Sequence, residues 1–100
     1  MSAATQARTV ATERVLRGPG KTSVAVRQAA FDNAGVAEPA RALIDKVAKT
    51  AWKITDADVA AVTATQSDDE IYEQVVAAAL GQATRQLDAA LAALDEATKS

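Results

Sequence analysis

The residues best suited to chemistry in this sequence are the adjacent pair Trp52-Lys53. A lysine held against an indole can lose solvation and act as an amine base or Schiff-base nucleophile. The more ordinary outcome is an alkyl stem lying over the ring with the ammonium in water. Glu38, just before Pro39, stands apart from the other acids and is the natural proton shuttle for such an amine. Tyr72 and Arg85 are 13 residues apart, about 20 Å along one helix, and cannot share a site within it. Asp56, Asp58, Asp68, Asp69 and Glu70 sit at helix starts, where capping accounts for them. The run Gly18-Pro19-Gly20-Lys21-Thr22 ends like a phosphate-binding loop. It lacks the required earlier glycine, which is Val15 here, and it follows a helix pattern, so it reads as an exposed turn.

What is missing narrows the chemistry further. The 100 residues include no cysteine and no histidine, so thiol nucleophiles, disulfides, imidazole bases and the usual zinc, haem and iron–sulfur ligand sets are excluded. The acids lack calcium-loop spacing, and no metal or cofactor is expected. No apolar run is long enough to span a membrane and no signal-peptide pattern opens the chain, so a cytoplasmic protein is expected.

The 26 alanines make an all-α fold the natural reading. Without them only 23 apolar residues remain, a thin core for one domain. The pattern gives about five helices. The first spans 4–16, with Ala7, Val10, Ala11 and Val15 on one side, and stops at Gly18-Pro19-Gly20. The second spans 23–33, with Val24, Val26, Ala30 and Phe31 apolar, and ends at Asn33-Ala34-Gly35. The third opens at Glu38-Pro39 and runs to Lys53, facing inward with Ala40, Leu43, Ile44, Val47, Ala48 and Ala51. Thr55 caps a short fourth helix through Thr65, and Ser67-Asp68-Asp69-Glu70 spells a capping box.

The last helix runs from Asp68 to about Ala97, with a stripe of Ile71, Val75, Val76, Leu80, Ala83, Leu87, Ala90, Leu91 and Leu94. Gly81 in its middle is best explained by close approach of a neighbouring helix. About 30 residues of helix are some 45 Å long, whereas a compact chain of this size has a radius of gyration of roughly 13 Å. Part of the stripe therefore needs cover from another chain, and alanine-rich faces suit close packing in a homo-oligomer. Charge is segregated: residues 1–30 carry net +4 and residues 54–84 net −6. The first 20 residues read as a basic arm able to dock on a protein partner. Nucleic acid is a poor fit, with overall charge −2 and no aromatic residues among the basic ones.

The run Ala42-Leu43-Ile44-Asp45-Lys46-Val47-Ala48, a short capped helix, and Ser67-Asp68-Asp69-Glu70-Ile71 leading into Val75-Val76-Ala77-Ala78-Ala79-Leu80-Gly81 resemble the carboxymuconolactone decarboxylase and alkylhydroperoxidase D-like superfamily. The resemblance covers about residues 36–95. It implies an oligomeric all-helical domain over 21–100 behind the basic arm. It also implies where a peroxidase relative carries its reactive groups. The Cys-x-x-Cys pair falls at Thr50 and Lys53, the histidine at Asp56 or Ala57, and the glutamate at Glu38, which alone matches. Thiol peroxidase chemistry is unavailable without cysteine.

The function expected is thus a catalytically silent helical module that oligomerises and binds a protein partner or small ligand. The expected ligand-binding residues are Trp52, Thr50, Asp56 and Tyr72. The alternative is a non-redox lactone decarboxylase- or isomerase-like enzyme using Lys53 and Glu38 as acid/base groups.

Overall fold

The structure, a computed structural model, describes residues 3–99; Met1, Ser2 and Ser100 lie outside them. Among the described residues every regular element is a helix: α1 (Ala3–Arg17), α2 (Val24–Asp32), α3 (Arg41–Lys49), a 3-10 turn (Ala51–Lys53), α4 (Asp56–Thr63) and α5 (Asp68–Thr98). The all-α reading and the long last helix are therefore correct. α5 is the spine. α2 packs on it most extensively and α3 next, and α1 runs antiparallel to α5, with Val15 near Val76 at one end and Arg8 paired to Asp88 at the other.

The helix boundaries follow from local hydrogen bonding. Ser23 accepts from Val26 N–H at the start of α2. Thr55 and Ser67 build full capping boxes with Asp58 and Glu70. Asn33, at φ 50°, closes α2 in the left-handed conformation. Two expectations on α3 need correction. Pro39 belongs to a turn preceded by a cis Glu38–Pro39 bond, not to the helix, because Ala40 N–H is taken by Ala37 O and helical bonding begins with Ile44 N–H on Ala40 O. At its other end α3 stops at Lys49. Thr50 leaves helical geometry (φ −143°, ψ 56°), which turns the chain so that α4 folds back and Asp58 reaches Lys46 at 2.7 Å.

The core is small side chains around a few larger ones. Leu16, Val36, Leu43, Ile44 and Val62 are buried together with Ala30, Ala40, Ala77 and Ala78. Two expected faces are rotated. On α1 the inward residues are Arg8, Thr12, Val15 and Leu16, while Ala7, Val10 and Ala11 are exposed. Leu16 has far more area to bury than either alanine, and the Arg8–Asp88 pair fixes the same face. On α5 the fully buried residues are Gln74, Ala77, Ala78 and Gly81, while Ile71 and Val75 of the expected stripe are half-buried against the core. Gln74 is satisfied there, donating to Gln66 Oε1 and Glu70 O.

The rotation of α5 has a steric cause. A Cβ placed on Gly81 would collide with the Phe31 carbonyl, the closing end of α2. Arg85, one turn on, donates to that same carbonyl at 2.7 Å. A cation at a helix C-terminus satisfies an orphan carbonyl and complements the dipole. The close approach expected of Gly81 is thus real, and the neighbour is α2. Beyond this contact the body ends: every residue from Arg85 to Lys99 is exposed. The projecting half of α5 raises the radius of gyration to 15.2 Å and the longest extent to 53 Å.

Gly81→Ala should lower stability by about 1–3 kcal/mol through overpacking, even though alanine favours helix by about 1 kcal/mol. Urea unfolding followed by circular dichroism reads this directly. A midpoint at or above that of the parent would remove the α2 contact from the account.

Candidate functional site

The turn Gly18-Pro19-Gly20-Lys21-Thr22 is not a free loop. Glu73 on α5 accepts from Lys21 N–H at 2.7 Å, from Thr22 N–H at 2.9 Å and from the Thr22 hydroxyl at 2.6 Å. The carboxylate lies over Gly20, where a Cβ would sit 2.6 Å from Oε1. Behind it Arg27, 5% exposed, donates to the carbonyls of Val15, Gly18 and Thr22. The hydrogen bonds from Thr22 and Lys21, with Arg27 nearby, pull the Glu73 carboxyl down to about 2. This cluster joins α1, α2 and α5, and its chemistry is structural: each charge is engaged by the backbone it orders.

Two further acids are held below the usual carboxylate range. Asp58 is lowered by Lys46 and by the Thr55 N–H it accepts from. Asp45 is lowered by hydrogen bonds from Asn33 and Lys49. Both fix α3, one to α4 and the other to the end of α2. Among the described residues no three acids converge as a metal-ligand set, and no helix is long and apolar enough to cross a membrane.

The residues singled out for ligand binding and catalysis divide among three concavities. Glu38, ion-paired with Arg41 at 3.6 Å, lines a hollow of about 370 Å³ with Asn33, Val36 and Asp45. Tyr72, 70% exposed, borders a hollow of about 170 Å³ with Arg14 and Pro19. Trp52 and Lys53 occupy the exposed 3-10 turn beyond α3, with Thr50 half-buried before them and Asp56 exposed after. The whole nine-residue α3, about 14 Å long, separates Glu38 from Lys53. Thr50, Trp52, Lys53 and Asp56 are therefore neighbours, and Glu38 and Tyr72 are not among them.

Trp52 is 79% exposed and forms one wall of a groove of about 260 Å³. Its floor is Val47, Ala51, Ala79 and Ala83, and Lys49, Gln82 and Gln86 supply the polar rim. The groove opens along α5 toward a second uncovered surface, Leu87, Leu91 and Leu94, which are 44%, 51% and 61% exposed. An aromatic wall over small apolar residues with amide edges has the composition of a contact surface. Comparison with protein-family models, curated proteins and solved structures gives no significant match to this chain.

Sequence reasoning missed Glu73 and Arg27. The available signal was a lone charge, Arg27, in the Val24–Phe31 stretch, following a glycine turn whose amide groups needed an acceptor.

The Glu73 interaction has a pH signature. Its carboxyl sits at about 2 in the fold against an ordinary 4.5, so the folded state favours the ionised form. That stabilisation is complete above pH 4.5 and is lost as pH falls toward 2. Glu73→Gln should cost about 1–3 kcal/mol near neutrality. It should also flatten the acid limb of unfolding midpoint against pH relative to the parent. Asp45 and Asp58 contribute equally to both proteins, so parallel acid limbs would refute the assignment.

Proposed function

We propose that this chain is a non-catalytic helical module of the alkylhydroperoxidase D-like type, which self-associates through α5 and uses the resulting surface for binding. The observation that carries the reading is the exposure of Leu87, Leu91 and Leu94 on the second half of α5, which α1 touches through Arg8 at Asp88 without burying these leucines. A monomer would leave about 20 Å of leucine-bearing helix in water. The five-helix order, with a long last helix capped by Ser67 and Glu70, is the architecture this reading calls for. The separation of Glu38 from Lys53 favours binding over acid/base catalysis by that pair. The basic face of α1, where Arg14 and Arg17 are exposed, is the second surface this reading assigns to a partner.

In native solution at micromolar concentration the mass should be a multiple of the 10.3 kDa chain. Leu87→Lys combined with Leu91→Lys should return it to one chain with helicity unchanged, because exposed substitutions shift stability by only about 0.5 kcal/mol. Light scattering after size exclusion measures both. A parent protein that runs as a single chain throughout would end this reading.

A further inference from the structure

The exposed half of α5 and the Trp52 groove have properties that fit one another. Leu80, Ala83, Leu87, Ala90, Leu94 and Ala97 recur at alternating intervals of three and four, a heptad seam with leucine at one core position and alanine at the other. Leu80 is half-buried at the edge of the body and the rest of the seam is exposed. Ala83 belongs to the seam and also to the groove floor beside Trp52. The seam therefore leads from the projecting tail into the groove without interruption.

Resting on the self-association proposed above, we infer that the occupant of this groove is the α5 tail of a second copy of this chain. The two α5 helices pair antiparallel about a two-fold axis at residues 88–89. In that register Leu87 of each copy lies at the level of Ala90 of the other, Leu94 at the level of Ala83, and Leu80 at the level of Ala97. Every leucine of the seam meets an alanine, which lets the two helix axes approach closely and leaves no leucine facing its own kind. The groove is filled twice, once by each tail, as an isologous contact requires.

Charge and area agree with this occupant. Residues 86–96 carry Asp88, Asp95 and Glu96 and no base. Lys49, the last residue of α3 and paired with Asp45, borders the groove, and Lys53 follows Trp52 in the exposed 3-10 turn. An acidic apolar tail thus passes a basic aromatic wall, which favours this pairing over two tails meeting in parallel. Half the lateral face of a helix some 10 Å across and 20 Å long is on the order of 300 Å². Two tails and two grooves then bury on the order of 1,200 Å², the lower edge of what a stable dimer needs.

The absence of cysteine makes the register testable by placed thiols. Ala83→Cys and Leu94→Cys are each expected to stay uncross-linked by a short bis-maleimide, and their mixture is expected to form a covalent dimer. Trp52, the only tryptophan, reports the groove separately: its emission should shift to shorter wavelength over the concentration range in which the mass rises. Self-linking of Leu94→Cys would mean parallel tails and overturn the register. A Trp52 emission that stays constant while the mass rises would leave self-association standing and place it elsewhere. A single chain at every concentration would remove both the register and the self-association beneath it.

Discussion

A carboxylate that accepts three hydrogen bonds from a turn some fifty residues earlier does for this fold what a disulfide does for many small domains. The thin core cannot by itself dictate where α1 goes. Glu73 supplies that decision, because its carboxylate takes the amides of both Lys21 and Thr22 and so pins the turn to α5. Arg27 completes it from beneath, donating to the carbonyl of Val15 near the end of α1 and to those of Gly18 and Thr22 in the turn. Once the turn is fixed on α5, α1 must lie alongside that helix and α2 must cross it. The positions of Leu16 and Ala30 in the core follow.

Eight residues further along α5, Gly81 fixes the other end of α2. The two points together set both where α2 crosses and how far it descends. Between them the interface is Ala77 and Ala78 against Ala30, all fully buried. Helices joined through such residues gain contact from proximity rather than from side-chain volume, since each alanine buries little area. The fold is thus held by close backbone approach and a polar cluster in which Arg27 Nε is buried without a hydrogen-bond partner, with Ile44 and Val62 the largest wholly enclosed side chains among the described residues.

Helix identity was legible because it is local. The Ser67–Glu70 and Thr55–Asp58 caps and the Asn33 stop depend on neighbours within four residues, and they lie where the spacing places them. The facing of α1 and α5 was not legible, because periodicity ranks residues by apolarity while packing here selects by size and polar contact. Arg8 and Gly81 face inward, and Val10 and Leu91 do not. The early end of α3 was hidden for a related reason, since the chain reversal at Thr50 depends on a lysine–aspartate contact between elements. The candidate site divides in the same way. Thr50, Trp52, Lys53 and Asp56 are close in sequence and stay together, whereas Glu38 and Tyr72 depended on tertiary placement and went to separate hollows.

The inversion on α5 is where the physical account meets function. A helix that turns glycine and alanine toward its own body and leucine toward solvent does the reverse of what a monomer's stability asks for. The inward choice is forced, since only a residue without Cβ admits the end of α2 at position 81. Given that constraint, leucines 87, 91 and 94 add nothing to the core, and in water they are a liability. The self-association proposed above would give them a use. Alanines placed between them at heptad intervals are what a second copy would need in order to approach closely. The same sequence feature, alanine in abundance, thereby serves two contacts of different kinds: one within the chain through Ala77 and Ala78, and one proposed beyond it through Ala83 and Ala90.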